Sequence, residues 1–115
     1  MVEDQEDNRQ ILRDLLTSAG YEIDEAVDGA QALRSVLARR PDLILMDIQL
    51  PVMDGYEATR RIKADPASKD IPIIVVTSYA LSGDETKARE AGGDDYVTKP
   101  YSPRQLLAKI RQYLD

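Results

Sequence analysis

Two short apolar runs, Leu43–Met46 and Ile71–Val76, constrain the fold of this chain more than any other feature of its sequence. Apolar runs of strand length without polar alternation are typical of strands that are buried on both faces of a parallel sheet. Between the runs, Tyr56, Thr59 and Ile62 recur at helical spacing. Strands that alternate with helices predict a parallel sheet that is covered by helices on both faces.

The remaining segments continue this alternation, and turn residues mark where the segments end. Gly20 and Pro41 are placed to end two helices, and Ser102 followed by Pro103 is a typical helix start. The predicted order is a helix around Ile11–Leu16, a strand at Tyr21–Val27, a helix from Asp28, a strand at Leu43–Met46, a helix around Tyr56–Ile62, a strand at Ile71–Val76, a helix from Ser82, a strand at Asp95–Thr98 and a helix from Ser102. We expect residues 1–115 to form a single domain, because this length supports one hydrophobic core.

The composition excludes several kinds of chemistry. The chain has no histidine and no cysteine, so it can form no disulfide, thiolate nucleophile, zinc ribbon or Ser-His-Asp triad. Its net charge is −6 and no basic stripe is present, which argues against direct binding to nucleic acid. The apolar runs are too short to cross a membrane, and no secretory signal is recognisable. We expect a soluble cytoplasmic protein that makes use of carboxylates, hydroxyls, lysine and a bound metal.

Polar residues directly follow the predicted strands. Glu3 and Asp4 follow Val2, Asp47 follows Met46, and a hydroxyl and an ammonium follow the last two strands, at Thr77 and Lys99. Since ligands of open parallel sheets bind outside the carboxyl ends of the strands, these side chains are expected to share one site.

Three carboxylates in one place repel one another and need a cation. Ligands that are all oxygen favour a hard ion such as Mg²⁺. An aspartate beside that ion can attack phosphorus and form an aspartyl phosphate, while a lysine and a hydroxyl offset the charge of the phosphoryl oxygens.

The same residues carry a resemblance to a known family. Glu3-Asp4, the segment Asp42–Gly55, Thr77 and Lys99-Pro100 resemble the receiver domain of bacterial two-component response regulators. The resemblance implies a flavodoxin-like (βα)5 fold, a three-layer sandwich around a parallel five-stranded sheet in the order 2-1-3-4-5.

The resemblance also implies a role for each residue of the site. Asp47 would be the phosphoacceptor, and the donor would be a phosphohistidine on a sensor histidine kinase or a histidine phosphotransfer protein. Asp4 and Asp47 would ligate Mg²⁺ together with the backbone carbonyl of Gln49. Glu3 would act through a metal-bound water, and Lys99 would pair with the phosphoryl group.

A switch is implied as well. Thr77 would turn toward the phosphoryl oxygens and Tyr96 would move inward, which would alter the face formed by the fourth helix, the fifth strand and the fifth helix. That face is where a downstream protein or a second copy of the chain would dock. Such a domain assists its own phosphorylation and dephosphorylation but has no metabolic substrate.

Three other functions compete with this interpretation. A flavodoxin-like cofactor binder would need a phosphate-binding loop after the first strand, where Glu3–Asp7 is acidic instead. A haloacid-dehalogenase-type phosphohydrolase would need a second aspartate at Gln49. An interaction module that keeps the fold without being phosphorylated stays open.

The sequence departs from the family pattern at two places. Only Met1 and Val2 precede the acidic pair, so the first, central strand is expected to be truncated, with lower stability and a loosely placed Glu3-Asp4 as the consequence. Ser78 follows Thr77 where the family prefers a small apolar residue. We expect no output domain within residues 1–115, and the sequence does not distinguish a stand-alone regulator from a piece of a larger one.

Overall fold

The computed structural model describes residues 1–48, 50, 53–77, 84–98 and 102–114. Its elements follow the predicted alternation. They are α1 (Glu6–Ser18), α2 (Gly29–Ala38), β1 (Ile44–Asp47), α3 (Gly55–Ala64), β2 (Ile73–Thr77), α4 (Asp84–Glu90), β3 (Asp95–Thr98) and α5 (Pro103–Leu114). β1, β2 and β3 correspond to the third, fourth and fifth predicted strands. The predictions for Gln49, Ser78, Lys99 and Pro100, and for a helix start at Ser82, concern positions outside the described residues.

The regular sheet is parallel, in the order β1-β2-β3. The first two predicted strands join it through one residue each, because Val2 pairs in parallel with Ala26 on one side and with Met46 on the other. Val2 therefore takes the place of the first strand in the predicted order 2-1-3-4-5, between the second and the third strand. The flavodoxin-like fold class and the truncated first strand are confirmed.

The predicted strand at Tyr21–Val27 is the main local difference. Within the described structure it pairs as a strand only at Ala26. A strand needs hydrogen-bonding partners along its length. Among the described residues, its neighbour on the inner side is the short segment Met1–Glu3. The truncation of the first strand therefore shortens the second one as well.

The core consists of two layers, one on each face of the sheet. Ile73 and Val75 of β2 point to a layer that includes Ile62 of α3, and this layer also receives residues of α2 and α4. The alternate residue Ile74 points to a layer that includes Leu106, to which α1 and α5 contribute. This alternation follows from the two-residue period of a strand, and it produces the predicted three-layer sandwich.

Short-range polar signals set where the helices start and end. The Asp28 carboxylate accepts a hydrogen bond from the Gln31 amide at 2.7 Å, and the Asp54 carboxylate accepts one from the Glu57 amide at 2.9 Å. Gly20 ends α1 with φ +92°, a conformation that suits glycine. Among the helices that the structure describes, none is long and apolar enough to cross a membrane.

Candidate functional site

Sheet register brings the predicted site residues to one edge. The pairing of Val2 with Met46 places Glu3 beside Asp47, one residue further along both chains. Asp47 in turn pairs with Val76, so that Thr77 follows at the end of the neighbouring strand. Thr77 pairs with Thr98, the residue that precedes Lys99 in the chain. The carboxyl ends of the strands therefore meet, as predicted from the sequence.

The described part of this edge is buried and polar. Glu3 is 2% exposed, Asp47 3% and Thr77 1%. Only two other described polar residues, Thr59 and Ser68, are buried to this degree. Carboxylates are costly to bury unless hydrogen bonds or a cation compensate for their charge. Two buried carboxylates on adjacent chain segments make this edge the candidate site for a cation.

The acidic pair is held by the start of α1. Arg9 Nη1 donates hydrogen bonds to the carbonyls of Glu3 and Asp4, at 3.1 and 3.0 Å. Glu3 Oε1 also accepts long hydrogen bonds from the Gln5 amide at 3.3 Å and from Asn8 Nδ2 at 3.4 Å. The expectation of a loosely placed pair is therefore wrong for Glu3, because Arg9 and its neighbours compensate for the short strand.

Asp47 is fixed by both chain segments around it. Its amide donates to the Val2 carbonyl at 3.1 Å. The carbonyl of the next residue, Ile48, accepts hydrogen bonds from the amides of Leu50 at 3.2 Å and Gly55 at 3.0 Å. The start of α3 is thus anchored immediately beyond Asp47.

Two further predicted residues lie on β2 and β3. Thr77 Oγ1 donates to the Val97 carbonyl at 3.4 Å, which ties the hydroxyl to the adjacent strand. Tyr96 is half-buried and packs against the core layer on the α3 face. Both residues lie on strands that lead to the site edge, and their switching roles stay predictions.

The donor set at the site edge suits a hard cation. The side chain of Asp4 is exposed and follows the buried Glu3 in the chain, whereas Asp47 is buried at the end of β1. Within the described residues, no three acidic side chains are already gathered around one point. All the donors that the described edge supplies are oxygen atoms, which is the chemistry that Mg²⁺ prefers.

Sequence reasoning missed Arg9 as a part of this site. Arginine in the first turns of a helix is usually exposed, and no motif marks this one. Its only signal is its distance of five residues from Asp4, because that spacing lets a side chain on α1 reach back over the acidic pair. The Arg9 side chain is 16% exposed and also lies 3.8 Å from the Glu25 carboxylate.

Fold and site together define an α/β domain with an acidic site at the carboxyl edge of its parallel sheet. The chain belongs to the response regulator receiver domain family, whose profile matches residues 1–111. It is thus a receiver domain of two-component signal transduction, and the resemblance in its motifs is confirmed.

Individual relatives agree with this assignment. The chain is 43% identical over 114 residues to the polar-differentiation response regulator DivK of Brucella anthropi, and the match covers 99% of this chain and 93% of that protein. It superposes with a TM-score of 0.91 on the receiver domain of a sensor histidine kinase from Pseudomonas aeruginosa PAO1, which has a magnesium ion coordinated in its active-site cleft. That match has 41% identity and covers 98% of this chain and 93% of the other. The chemotaxis protein CheY4 of Vibrio cholerae superposes with a TM-score of 0.91 at 29% identity, over 97% of this chain and 93% of the other.

Proposed function

We propose that residues 1–115 act as one receiver unit in which Asp47 accepts a phosphoryl group. The donor is a phosphohistidine on a sensor histidine kinase or a histidine phosphotransfer protein. The observation that carries this proposal is the burial of Asp47 at the carboxyl end of β1, beside a second buried carboxylate, Glu3. Buried carboxylates of this kind are typical of a site that binds a cation and then receives an anion beside it.

In the transfer step, a carboxylate oxygen of Asp47 forms a bond to phosphorus while the bond between phosphorus and the donor imidazole nitrogen breaks. The imidazole leaves with the electron pair of that bond. The hydroxyl of Thr77 and the ammonium of Lys99 offset charge on the phosphoryl oxygens. The chain assists its own phosphorylation and dephosphorylation in this way and converts no metabolic substrate.

Magnesium completes the proposed site. Asp4, Asp47 and the backbone carbonyl of Gln49 would hold the ion, with Glu3 acting through a water molecule. When bound, Mg²⁺ neutralises charge between the aspartate and the phosphoryl oxygens. Arg9 and Asn8 hold the backbone and side chain of the acidic pair so that its carboxylates stay at the site edge.

The output surface is the face formed by α4, β3 and α5. Thr77 and Tyr96 would couple the phosphoryl group to this face, because Thr77 contacts the carbonyl of Val97 on β3. A shallow groove between β3 and α5 is bordered by Tyr96 and by Lys109, whose ammonium lies 2.9 Å from Asp95. A downstream protein would dock here, and a homodimer through the same face is left open.

The proposal is tested by incubating the chain with acetyl phosphate and Mg²⁺ and measuring its intact mass. Unaltered protein should gain one phosphoryl group, and Asp47→Ala should gain none. Asp42→Ala is the matched control, because Asp42 is an exposed aspartate close to the start of the same strand. Removal of Mg²⁺ with a chelator should abolish labelling.

Two outcomes would contradict the proposal. Equal labelling of the unaltered chain and Asp47→Ala would place the acceptor elsewhere. No labelling of a folded chain in the presence of Mg²⁺, by either acetyl phosphate or a phosphohistidine donor, would favour the interaction module that is not phosphorylated.

A further inference from the structure

Two aliphatic side chains are far more exposed than the other large apolar residues of the described structure. Ile11 of α1 is 64% exposed and Leu37 of α2 is 69% exposed, whereas the next, Val27, is 37% exposed. Single exposed apolar residues are common on protein surfaces. Ile11 and Leu37 differ from such residues because charges of opposite sign surround them.

Ile11 lies on an acidic stripe of α1. Asp7 lies four residues before it and Asp14 three residues after it, so the three share one side of the helix. Both aspartates are exposed, and neither forms an ion pair with another described residue. Arg13 of the same helix leaves their charge in place, because it pairs with Glu25 instead. We call Asp7, Ile11 and Asp14 the acidic face.

Leu37 lies on a basic surface. Arg34 precedes it by one turn of α2 and forms no ion pair within the described part of the chain. α2 packs against α3, where Arg60 and Arg61 both pair with a single carboxylate, that of Glu57, at 3.1 and 3.0 Å. One carboxylate neutralises only one of two guanidinium groups, so α3 adds a net positive charge. We call Arg34, Leu37, Arg60 and Arg61 the basic face.

The two faces lie on opposite sides of the molecule. α1 and α5 cover one side of the sheet, and α2 and α3 cover the other side. A single molecule therefore cannot bring its own two faces together. The acidic face of one molecule can, however, contact the basic face of another.

We propose that the acidic face of this chain binds the basic face of a second copy, with Ile11 and Leu37 in contact and the charges paired around them. The contact is head-to-tail, because it joins two different surfaces. Each copy keeps one face free, so association continues into short chains instead of stopping at a dimer. A contact between one helix and a pair of helices is small, so we expect a Kd of roughly 0.1–1 mM. This inference does not depend on the phosphoacceptor role of Asp47.

A second copy satisfies both faces at once, which other partners do not. A nucleic acid or an anionic membrane would contact only the basic face, and the net charge of −6 would oppose its approach. A basic helix of another protein would contact only the acidic face and would leave Leu37 exposed. In a second copy, both the charges and the two apolar side chains are complementary.

Sedimentation equilibrium of the unaltered chain at about 0.05–2 mM measures this association. The average mass should rise past that of a dimer without levelling off, because the contact is open-ended. Raising the NaCl concentration from about 0.05 to about 0.5 M should weaken the association severalfold, because salt screens exposed charges. In NMR spectra the amide signals of α1, α2 and α3 should shift with protein concentration, and those of α4 and β3 should not.

Two charge-reversal variants test the pairing of the faces. Asp7→Lys/Asp14→Lys reverses the acidic face. Arg34→Glu/Arg61→Glu reverses the basic face. Each variant alone should associate at least about tenfold more weakly than the unaltered chain, because like charges then face each other. An equimolar mixture of the two variants should regain the affinity of the unaltered chain, since the two reversed faces are complementary and the two original faces still are.

Two further variants serve as controls. Asp42→Lys/Asp70→Lys changes the net charge by the same amount as Asp7→Lys/Asp14→Lys, at exposed aspartates outside the acidic face, and should leave association intact. Leu37→Gln keeps every charge and should weaken association severalfold, because the apolar contact with Ile11 is lost.

Three results would overturn the proposal. The first is an unaltered chain that stays monomeric at about 2 mM. The second is a mixture of the two charge-reversal variants that associates no better than either variant alone. The third is association in which the shifted amides lie on α4, β3 and α5, because the copies would then meet through the proposed output surface. All the substituted side chains are exposed, so the variants should fold like the unaltered chain.

Discussion

Gly55 packs directly against the backbone of Asp47. A Cβ atom at Gly55 would overlap the Asp47 carbonyl oxygen and approach Ile48 Cα at 2.6 Å. Only glycine permits this contact, which brings the start of α3 against the residue proposed as phosphoacceptor.

Gly55→Ala should therefore lower the free energy of unfolding by about 2 kcal/mol or more, because backbone has to move to make room. Urea denaturation measures this loss. Gly20→Ala is the control. A Cβ atom at Gly20 would meet open space, so this substitution should lower the free energy of unfolding only through the left-handed backbone conformation, by about 1 kcal/mol. A Gly55→Ala variant as stable as Gly20→Ala would contradict the contact.

Arg9 is expected to support metal binding without touching the metal. Arg9→Met removes both hydrogen bonds to the carbonyls of the acidic pair, so the affinity for Mg²⁺ should fall roughly tenfold. Calorimetric titration with Mg²⁺ measures this. Arg13→Met is the matched control, because Arg13 contacts Glu25 but not the acidic pair. Equal affinities of the two variants would remove Arg9 from the site.

Lys63 connects three parts of the fold. Its ammonium donates to the Ile71 carbonyl and to the Asp94 carboxylate, both at 2.7 Å, and Asp94 also accepts from the Ile73 amide at 2.8 Å. Lys63→Met should cost about 1–2 kcal/mol of unfolding free energy, because these acceptors lose a charged donor. Lys69→Met, at an exposed lysine, should stay within about 0.5 kcal/mol of the unaltered chain. Equal losses in urea denaturation would count against this role of Lys63.

Glu25 should contribute to acid sensitivity. The hydrogen bonds from Arg13, at 2.7 and 2.8 Å, hold the pKa of Glu25 below its ordinary value of 4.5. The contribution of Glu25 to the free energy of unfolding is therefore fully present above pH 4.5. It is lost as the pH falls through the lower pKa of Glu25 in the folded state. Glu25→Gln should make the fall in stability below pH 4.5 shallower in urea titrations at several pH values. Glu22→Gln should leave this pH dependence unchanged, because the Glu22 side chain is 89% exposed in its ion pair with Arg39.

Thr77 should matter more for phosphoryl transfer than for folding. Thr77→Val keeps the shape of the side chain but removes the hydroxyl expected to meet a phosphoryl oxygen. The rate of adduct formation with acetyl phosphate should fall about tenfold, the value of one hydrogen bond to a charged group. Thr98→Val, one strand away in the same register, is the matched control for intact-mass time courses. Unchanged rates in Thr77→Val would exclude the hydroxyl from the transfer step.

Much of the fold could be predicted because its signals are local. The apolar run before Asp47 identifies β1, and the side chains of Asp28 and Ser102 accept hydrogen bonds at the two helix starts predicted for them. The second strand could not be predicted correctly. Its residues have suitable composition, but regular pairing depends on a neighbouring strand that is reduced here to Val2.

The candidate site likewise has some features that local sequence signals predict and others that depend on contacts with another segment. The positions of Glu3, Asp47 and Thr77 follow from where the apolar runs end, since parallel strands deliver the residues after them to one edge. The sequence could not show that Glu3 is held in place, because this depends on a hydrogen bond from Arg9, a residue of the following helix, to the Glu3 carbonyl. The roles of Gln49 and Lys99 stay predictions, and the labelling experiment can be extended to variants of these two residues.

The two Asp-Gly pairs at helix starts have a consequence for chemical ageing. Asp-Gly sequences convert to isoaspartate in two steps. The glycine nitrogen attacks the aspartate side-chain carboxyl carbon and closes a succinimide ring with loss of water, and water then opens the ring at the aspartate α-carbonyl. At Asp54-Gly55 the nitrogen donates to the Ile48 carbonyl at 3.0 Å and the carboxylate accepts from Glu57, so both reacting groups are restrained. For Gly29 the described structure shows no such acceptor for the backbone nitrogen. On prolonged storage, isoaspartate should therefore accumulate at Asp28 before Asp54, and the shelf life of the folded chain would be set at the start of α2.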